Sequence, residues 1–95
     1  MAEKTPHYSS YDNLKTQVLL EVLSESLNIL GSSARDFIIG HIQISYRESL
    51  SKDCISISEA EMMLLPILGE GRALILKDMK KRLDLLARSG VINDC

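Results

Sequence analysis

The stretch ILGEGRALILKDMKKRLDLLAR, from Ile67 to Arg88, decides the fold class of this chain. Apolar side chains recur with helical spacing after its glycines, at Ala73, Ile75, Leu76, Met79, Leu83 and Leu86. Lysine, arginine and aspartate fill the remaining positions, which is the pattern of an α-helix with one buried face. We therefore predict a long helix over residues 72–89, ended by Gly90 after basic last turns.

The tripeptide Ile-Leu-Gly occurs twice, at residues 29–31 and 67–69, each time before an apolar stretch. A phosphate-binding glycine loop follows a buried strand, whereas a helical pattern precedes both of these glycines, and Glu70 adds a negative charge to the second loop. An internal duplication is another reading, but the residues beyond the two glycines diverge at once. We interpret both tripeptides as joints in which glycine ends a helix in a left-handed conformation.

Residues 13–30 carry leucine and valine at three- and four-residue intervals and predict the first helix. Asp12 is placed to cap its N-terminus. The preceding residues mix proline, serine, histidine and charge without any period, which is typical of a flexible tail.

Residues 34–50 predict a second helix, in which isoleucines and Phe37 cover more than half of the circumference. That distribution predicts a central helix with contacts on several sides. Ser33 and Asp36 approximate a capping box at its start. His41 lies within this helix, where a half-buried histidine with a hydrogen-bonded tip is the expected role.

The segment SKDCISIS, residues 51–58, predicts a loop, with one short strand as the alternative. Ser58 and Glu61 have the spacing of a capping box, so a third helix is predicted over residues 59–68. Pro66 should kink or end this helix, because proline lacks the N–H that an interior helical position needs.

The chain therefore predicts an all-α fold, a compact bundle of about four helices in a single domain. The helices cover roughly residues 13–30, 34–50, 59–68 and 72–89, and the domain covers residues 12–90. Residues 1–11 form a flexible tail and residues 91–95 a short C-terminal tail. Ninety-five residues suffice for one hydrophobic core and not for two.

Charge is distributed unevenly along the chain, although the net charge is only −2. Residues 1–70 hold five Lys/Arg against ten Asp/Glu, which gives −5, whereas residues 71–90 hold six against two, which gives +4. The last helix is thus a basic element on an acidic body. Its candidate partner surface comprises Arg72, Lys77, Lys80, Lys81 and Arg88, and a solvated exterior is the plainer reading of the same residues.

Catalytic, cofactor-binding and metal-binding residues are not predicted. The two histidines, His7 and His41, lack cysteines or carboxylates at metal-ligand spacing. Glu59, Glu61 and Glu70 are typical solvated carboxylates near helix ends. Three methionines, Met62, Met63 and Met79, are predicted to be core residues, with a hydrophobic partner surface as the alternative.

The two cysteines, Cys54 and Cys95, do not constitute a disulfide framework. We predict a cytoplasmic, reducing location, since no N-terminal apolar stretch resembles a signal peptide. Uninterrupted apolar runs are far too short for a membrane span.

Three features in order resemble the Nitrosopumilus output domain family, small helical archaeal domains associated with signal transduction. They are Leu30-Gly31 closing a helix, His41 in the next helix, and Leu68-Gly69-Glu70-Gly71 leading into a long apolar-basic helix. The resemblance spans about residues 23–86. It implies an α-helical fold and a regulatory or output role, and it supplies no catalytic residues.

These observations favour a non-enzymatic regulatory, output or protein-interaction module that binds another protein or a second copy of itself. The resemblance implies an archaeal signalling or transcription-related pathway. The alternative is a small helix-turn-helix-like DNA-binding regulator that uses the basic last helix. Net negative charge and the lack of base-reading clusters weigh against it. An enzyme or small-ligand carrier, with an apolar cavity near Met62 and Met63, ranks last.

Overall fold

The computed structural model describes residues 14–89, which form four main helices, a one-turn helix and a minimal two-stranded sheet. In chain order the elements are β1 (Leu14–Lys15), α1 (Thr16–Leu27), α2 (Ser32–Ser45), α3 (Arg47–Leu50), β2 (Cys54–Ile55), α4 (Ile57–Leu68) and α5 (Arg72–Arg88). Short 3₁₀ turns follow α1 at Asn28–Leu30 and α4 at Gly69–Gly71. The prediction of an all-α bundle of about four helices is confirmed.

Helices α1 and α5 make the most extensive contact and form the centre of the bundle. Helix α2 packs against α1, and α4 packs against α5. The core is aliphatic: Leu19, Leu23 and Leu27 of α1 and Ile75, Met79 and Leu83 of α5 are fully buried. These buried side chains stabilise the packing of α1 against α5 through the hydrophobic effect.

The first helix begins at Thr16, three residues later than predicted, because the chain before it is extended. Leu14 and Lys15 pair antiparallel with Ile55 and Cys54. The backbone N–H of Thr16 donates to the carbonyl of Asp53 at 2.9 Å. Lys15 occupies the N-cap position without a side-chain cap, and the predicted cap, Asp12, lies outside the described residues. The alternative of a short strand in the segment 51–58 is confirmed.

Helix α2 begins at Ser32, directly after Gly31, and no side chain caps its N-terminus. The predicted Ser33–Asp36 capping box is therefore wrong, and the Asp36 carboxylate instead pairs with the guanidinium of Arg35 at 2.9 Å. The backbone departs from helical geometry at Tyr46, with φ −122° and ψ 35°. The predicted helix over residues 34–50 is thus divided into α2 and α3.

The predicted central position of the second helix is wrong. Only Ile38 and Ile42 of α2 are buried, and both lie on the side that faces α1. Phe37 is 71% exposed and Ile44 is 80% exposed. Apolar composition around the whole circumference therefore does not reflect burial on several sides.

Helix α4 begins two residues earlier than predicted. Ser56, rather than Ser58, is its N-cap, and the Ser56 hydroxyl accepts a hydrogen bond from the backbone N–H of Glu59 at 3.4 Å. Pro66 lies inside the helix, which continues for two more residues and ends at Leu68. The proline therefore falls in the last turn, where one lost hydrogen bond is tolerated more easily than in the middle of a helix.

Both Ile-Leu-Gly joints contain glycine with a positive φ, as predicted. Gly31 has φ 98° and ψ 155°, and Gly69 has φ 55° and ψ −126°. These ψ values lie outside the left-handed helical region, in backbone conformations that are open almost only to glycine. The left-handed helical conformation predicted for the two glycines is therefore not the one observed, although both have the positive φ that favours glycine.

Two further observations bear on the predictions for the whole chain. Across residues 14–89 no helix is long and apolar enough to cross a membrane. Cys54 is disulfide-bonded, which differs from the reduced state that the predicted location implies. The predicted tails, Gly90, His7 and Cys95 lie outside the described residues.

Candidate partner surface

The outer face of α5 carries four of the five basic residues that were singled out in the sequence. Lys77, Lys80, Lys81 and Arg88 are exposed, because Ile75, Leu76, Met79 and Leu83 direct the opposite face into the core. Within residues 14–89 no carboxylate forms an ion pair with the three lysines. Their ammonium groups are therefore open to an anionic partner.

Arg72, the fifth candidate, has a structural role. Its Nη1 donates a hydrogen bond to the carbonyl oxygen of Gly69 at 2.8 Å, and its Nε lies 3.3 Å from a carboxylate oxygen of Glu61. Only 26% of the Arg72 side chain is exposed. This guanidinium thus connects α4, the glycine joint and the start of α5, and we place it at the edge of the partner surface.

Two open depressions flank the lysines. The first, of about 510 Å³, is lined by Ile29, Leu74, Lys77, Asp78, Lys80, Lys81 and Asp84. The second, of about 460 Å³, is lined by Glu61, Glu70, Arg72, Ala73, Leu76, Lys77 and Lys80. Because Lys77 and Lys80 line both depressions, they form a ridge between them.

The first depression has an apolar floor that sequence reasoning did not identify. Ile29 is 49% exposed and Leu74 is 54% exposed, and both line it together with the three lysines. Leu74 falls out of register with the buried positions of α5, which was the available signal in the sequence. Ile29, from the other Ile-Leu-Gly joint, gave no such signal, because its approach to α5 depends on the fold. We call Ile29, Leu74, Lys77, Lys80 and Lys81 the basic-apolar surface.

A second charged cluster connects α5 to α1 and holds a basic residue away from this surface. Arg82 pairs with Asp78 at 2.6 Å and with Glu25 of α1 at 3.6 Å. The hydrogen bond from Arg82 lowers the pKa of Asp78, and the neighbouring Ser26 hydroxyl lowers it further, although burial opposes both effects. Among the described residues, the buried Ser26 hydroxyl has no partner with full hydrogen-bond geometry. The hydroxyl therefore acts on Asp78 as a nearby dipole.

The lowered pKa of Asp78 predicts a pH dependence of stability. A carboxyl whose folded-state pKa is depressed stabilises the fold above its unfolded pKa, and this contribution disappears as the pH falls through the lower folded value. We expect the contribution to be at most about 1 kcal/mol, because the pair is partly exposed. It should be complete at pH 7 and should decline as the pH falls below about 4, the ordinary pKa of an unfolded aspartate.

Urea unfolding of the wild type and of Asp78→Asn at pH 7 and pH 3 measures this contribution. The variant should be less stable than the wild type at pH 7, and the difference should be smaller at pH 3. An equal difference at both pH values would contradict the assignment.

The remaining candidates for chemistry do not converge on a site. His41 is exposed rather than half-buried, and its Nε2 lies 3.4 Å from the Ser45 hydroxyl. Met63 is buried, as predicted, whereas Met62 is 70% exposed, so its predicted place in the core is wrong. Among the described residues no group of three His, Cys, Asp or Glu side chains is arranged to hold a metal ion.

Comparison with protein-family models, curated proteins and solved structures finds no match. The resemblance to the Nitrosopumilus output domain family therefore stays a prediction.

Proposed function

We propose that this chain is a non-enzymatic protein-interaction module whose basic-apolar surface binds an acidic, amphipathic segment of another protein. The observation that carries the proposal is the position of Ile29 and Leu74, half exposed, beside three lysines that have no ion-pair partner within residues 14–89. A segment with leucine on one side and glutamate on the other would cover the apolar floor and face the ammonium groups. Regulation in a signalling pathway, as the family resemblance implies, is one setting for such a contact.

The size of the surface predicts modest affinity. Burying the exposed halves of two aliphatic side chains contributes on the order of 1 kcal/mol each. Exposed ion pairs contribute at most about 1 kcal/mol each and mainly increase the association rate. Because binding also orders the partner segment, we expect a dissociation constant in the high micromolar to millimolar range and a clear weakening with salt.

A protein partner fits this surface better than duplex DNA does. The apolar floor has no counterpart on a phosphate backbone. The net charge of −2 also gives the chain no general attraction to nucleic acid.

Fluorescence anisotropy with a labelled synthetic peptide tests the proposal. The probe is a helical peptide of about 20 residues with leucine on one face and glutamate on the other, and its counterpart carries lysine in place of glutamate. We expect only the glutamate peptide to bind. The double variant Lys77→Glu/Lys81→Glu should weaken this binding at least about tenfold, since two attractive groups become repulsive.

The matched control is Lys15→Glu/Arg47→Glu, which changes the net charge equally at exposed positions outside the surface. It should leave binding within about twofold of the wild type at physiological salt. The proposal fails if both peptides bind equally, if neither binds, or if the two double variants have the same effect. Retardation of a random DNA duplex in place of peptide binding would favour the DNA-binding alternative.

A further inference from the structure

Helix α2 presents an apolar stripe to solvent, on the side opposite to its contact with α1. Phe37 and Ile44 are two helical turns apart, and they are 71% and 80% exposed. Gly40 lies between them on the same side. The two buried residues of the helix, Ile38 and Ile42, point toward the core instead. The exposed residues therefore form a strip that is apolar at both ends and has Gly40 and the exposed His41 in its middle, which we call the Phe37–Ile44 stripe.

Gly40 leaves the middle of the stripe open. Apart from the neighbouring residues and backbone of α2 itself, no described atom lies within 4 Å of the position that a Cβ would occupy there. Glycine is unfavourable inside a helix, so its presence does not assist the formation of α2. It does allow the backbone of another helix to approach closely between the two large side chains, as small residues do at helix crossings.

We propose that the occupant of this stripe is α2 of a second copy of the chain. A two-fold axis near Gly40 would set two α2 helices antiparallel and bring Phe37 of each copy toward Ile44 of the other. Such an isologous contact requires a face that does not repel itself. The residues that flank the stripe in sequence include one of each sign on either side, Arg35 and Asp36 before it and Arg47 and Glu48 after it.

The charges distinguish this face from the basic-apolar surface of α5. Two copies of the α5 face would bring at least six unpaired lysine ammonium groups together, which disfavours self-association there. The α2 stripe between Phe37 and Ile44 carries no Lys, Arg, Asp or Glu side chain and has no such cluster of like charges. The dimer contact and the proposed partner contact therefore involve different helices.

The area predicts a weak dimer. Two stripes together bury on the order of 600 Å² of apolar surface, and the flanking polar side chains raise the total to about 1,000 Å². This value is at the lower limit for specific interfaces, so we expect a dissociation constant in the micromolar range.

Analytical ultracentrifugation of the whole chain from about 1 to 500 μM tests the proposal. The wild type should change from monomer to dimer over this range. Ile44→Asp should raise the dissociation constant at least tenfold, because it places a carboxylate in the contact. Met62→Asp is the matched control, since Met62 is 70% exposed on α4, and this variant should dimerise like the wild type.

Gly40→Gln separates a loss of dimer from a loss of folding. Its side chain meets no atom of the same chain near Cβ, and glutamine is a better helix former than glycine, so the melting temperature of the monomer at low concentration should rise. The same side chain blocks the close approach of a second helix, so dimerisation should weaken at least tenfold. The proposal is overturned by a wild type that stays monomeric at all concentrations. It is equally overturned if both α2 variants still dimerise, or if Met62→Asp alone prevents dimerisation.

Discussion

Replacing Leu83 by alanine is expected to lower the free energy of unfolding by about 2–5 kcal/mol. Leu83 is fully buried on α5, the helix that makes the most extensive contact with α1. The change removes apolar surface from the core and leaves a cavity that the two central helices close only in part. Because domains of this size are stable by only about 5–15 kcal/mol in total, the variant should be partly unfolded near physiological temperature.

The matched control is Leu85→Ala on the same helix, where the leucine is 55% exposed. This substitution loses little buried surface, and alanine is at least as good a helix former, so we expect a change within about 0.5 kcal/mol. Urea unfolding followed by circular dichroism measures both variants. Equal destabilisation at the two positions would show that α5 is not oriented with Leu83 inward.

The helices themselves could be predicted from the sequence because periodicity is a local signal. The apolar pattern over residues 72–89 corresponds to α5 as observed, Arg72–Arg88, and its inward residues Ile75, Met79 and Leu83 are buried. The joint glycines were recognisable for the same reason, since only neighbouring residues were needed to locate them. Leu74 was also visible as an apolar residue outside the buried pattern of α5. The sequence did not show that it would line the candidate surface.

Features that depend on contacts between distant segments could not be predicted in this way. The late start of α1 results from pairing between Leu14 and Ile55, and no pattern near Leu14 indicates that partner. Exposure of Phe37 was missed because periodicity shows which residues are apolar and does not show how many neighbours a helix has. The number of neighbours is a property of the packed bundle.

The candidate surface, too, was predictable where it depends on local sequence and not where it depends on contacts between distant segments. Counting charges identified the basic helix, yet it could not separate a paired cation from an unpaired one. Arg82 is held by Asp78, and by Glu25 on another helix, whereas Lys77 has no ion-pair partner within residues 14–89. Ile29 became part of the surface only because the first glycine joint lies beside α5 in the folded protein.

The second glycine joint gives the other large expected effect, since Gly69→Ala should lower the free energy of unfolding by about 1–3 kcal/mol. Gly69 has φ 55° and ψ −126°, a combination that the Cβ of an L-residue strongly disfavours. No atom lies within 4 Å of its Cβ position, so the expected loss comes from the backbone and not from a clash with a neighbour. The joint is further held by the hydrogen bond that Arg72 donates to the Gly69 carbonyl at 2.8 Å.

Gly71, two residues further along the same joint, is the matched control. It has φ −64° and ψ −17°, which any L-residue adopts, and a Cβ there would lie 3.9 Å from the Cβ of Leu68, an ordinary contact. Gly71→Ala should therefore stabilise the protein by about 0.4–1 kcal/mol, because alanine restricts the unfolded chain. Since 1 kcal/mol shifts the melting temperature of a domain this size by about 4–8 °C, thermal unfolding should move in opposite directions for the two variants. Shifts of the same sign would contradict the backbone geometry of Gly69, which sets the direction in which α5 and its lysines leave the joint.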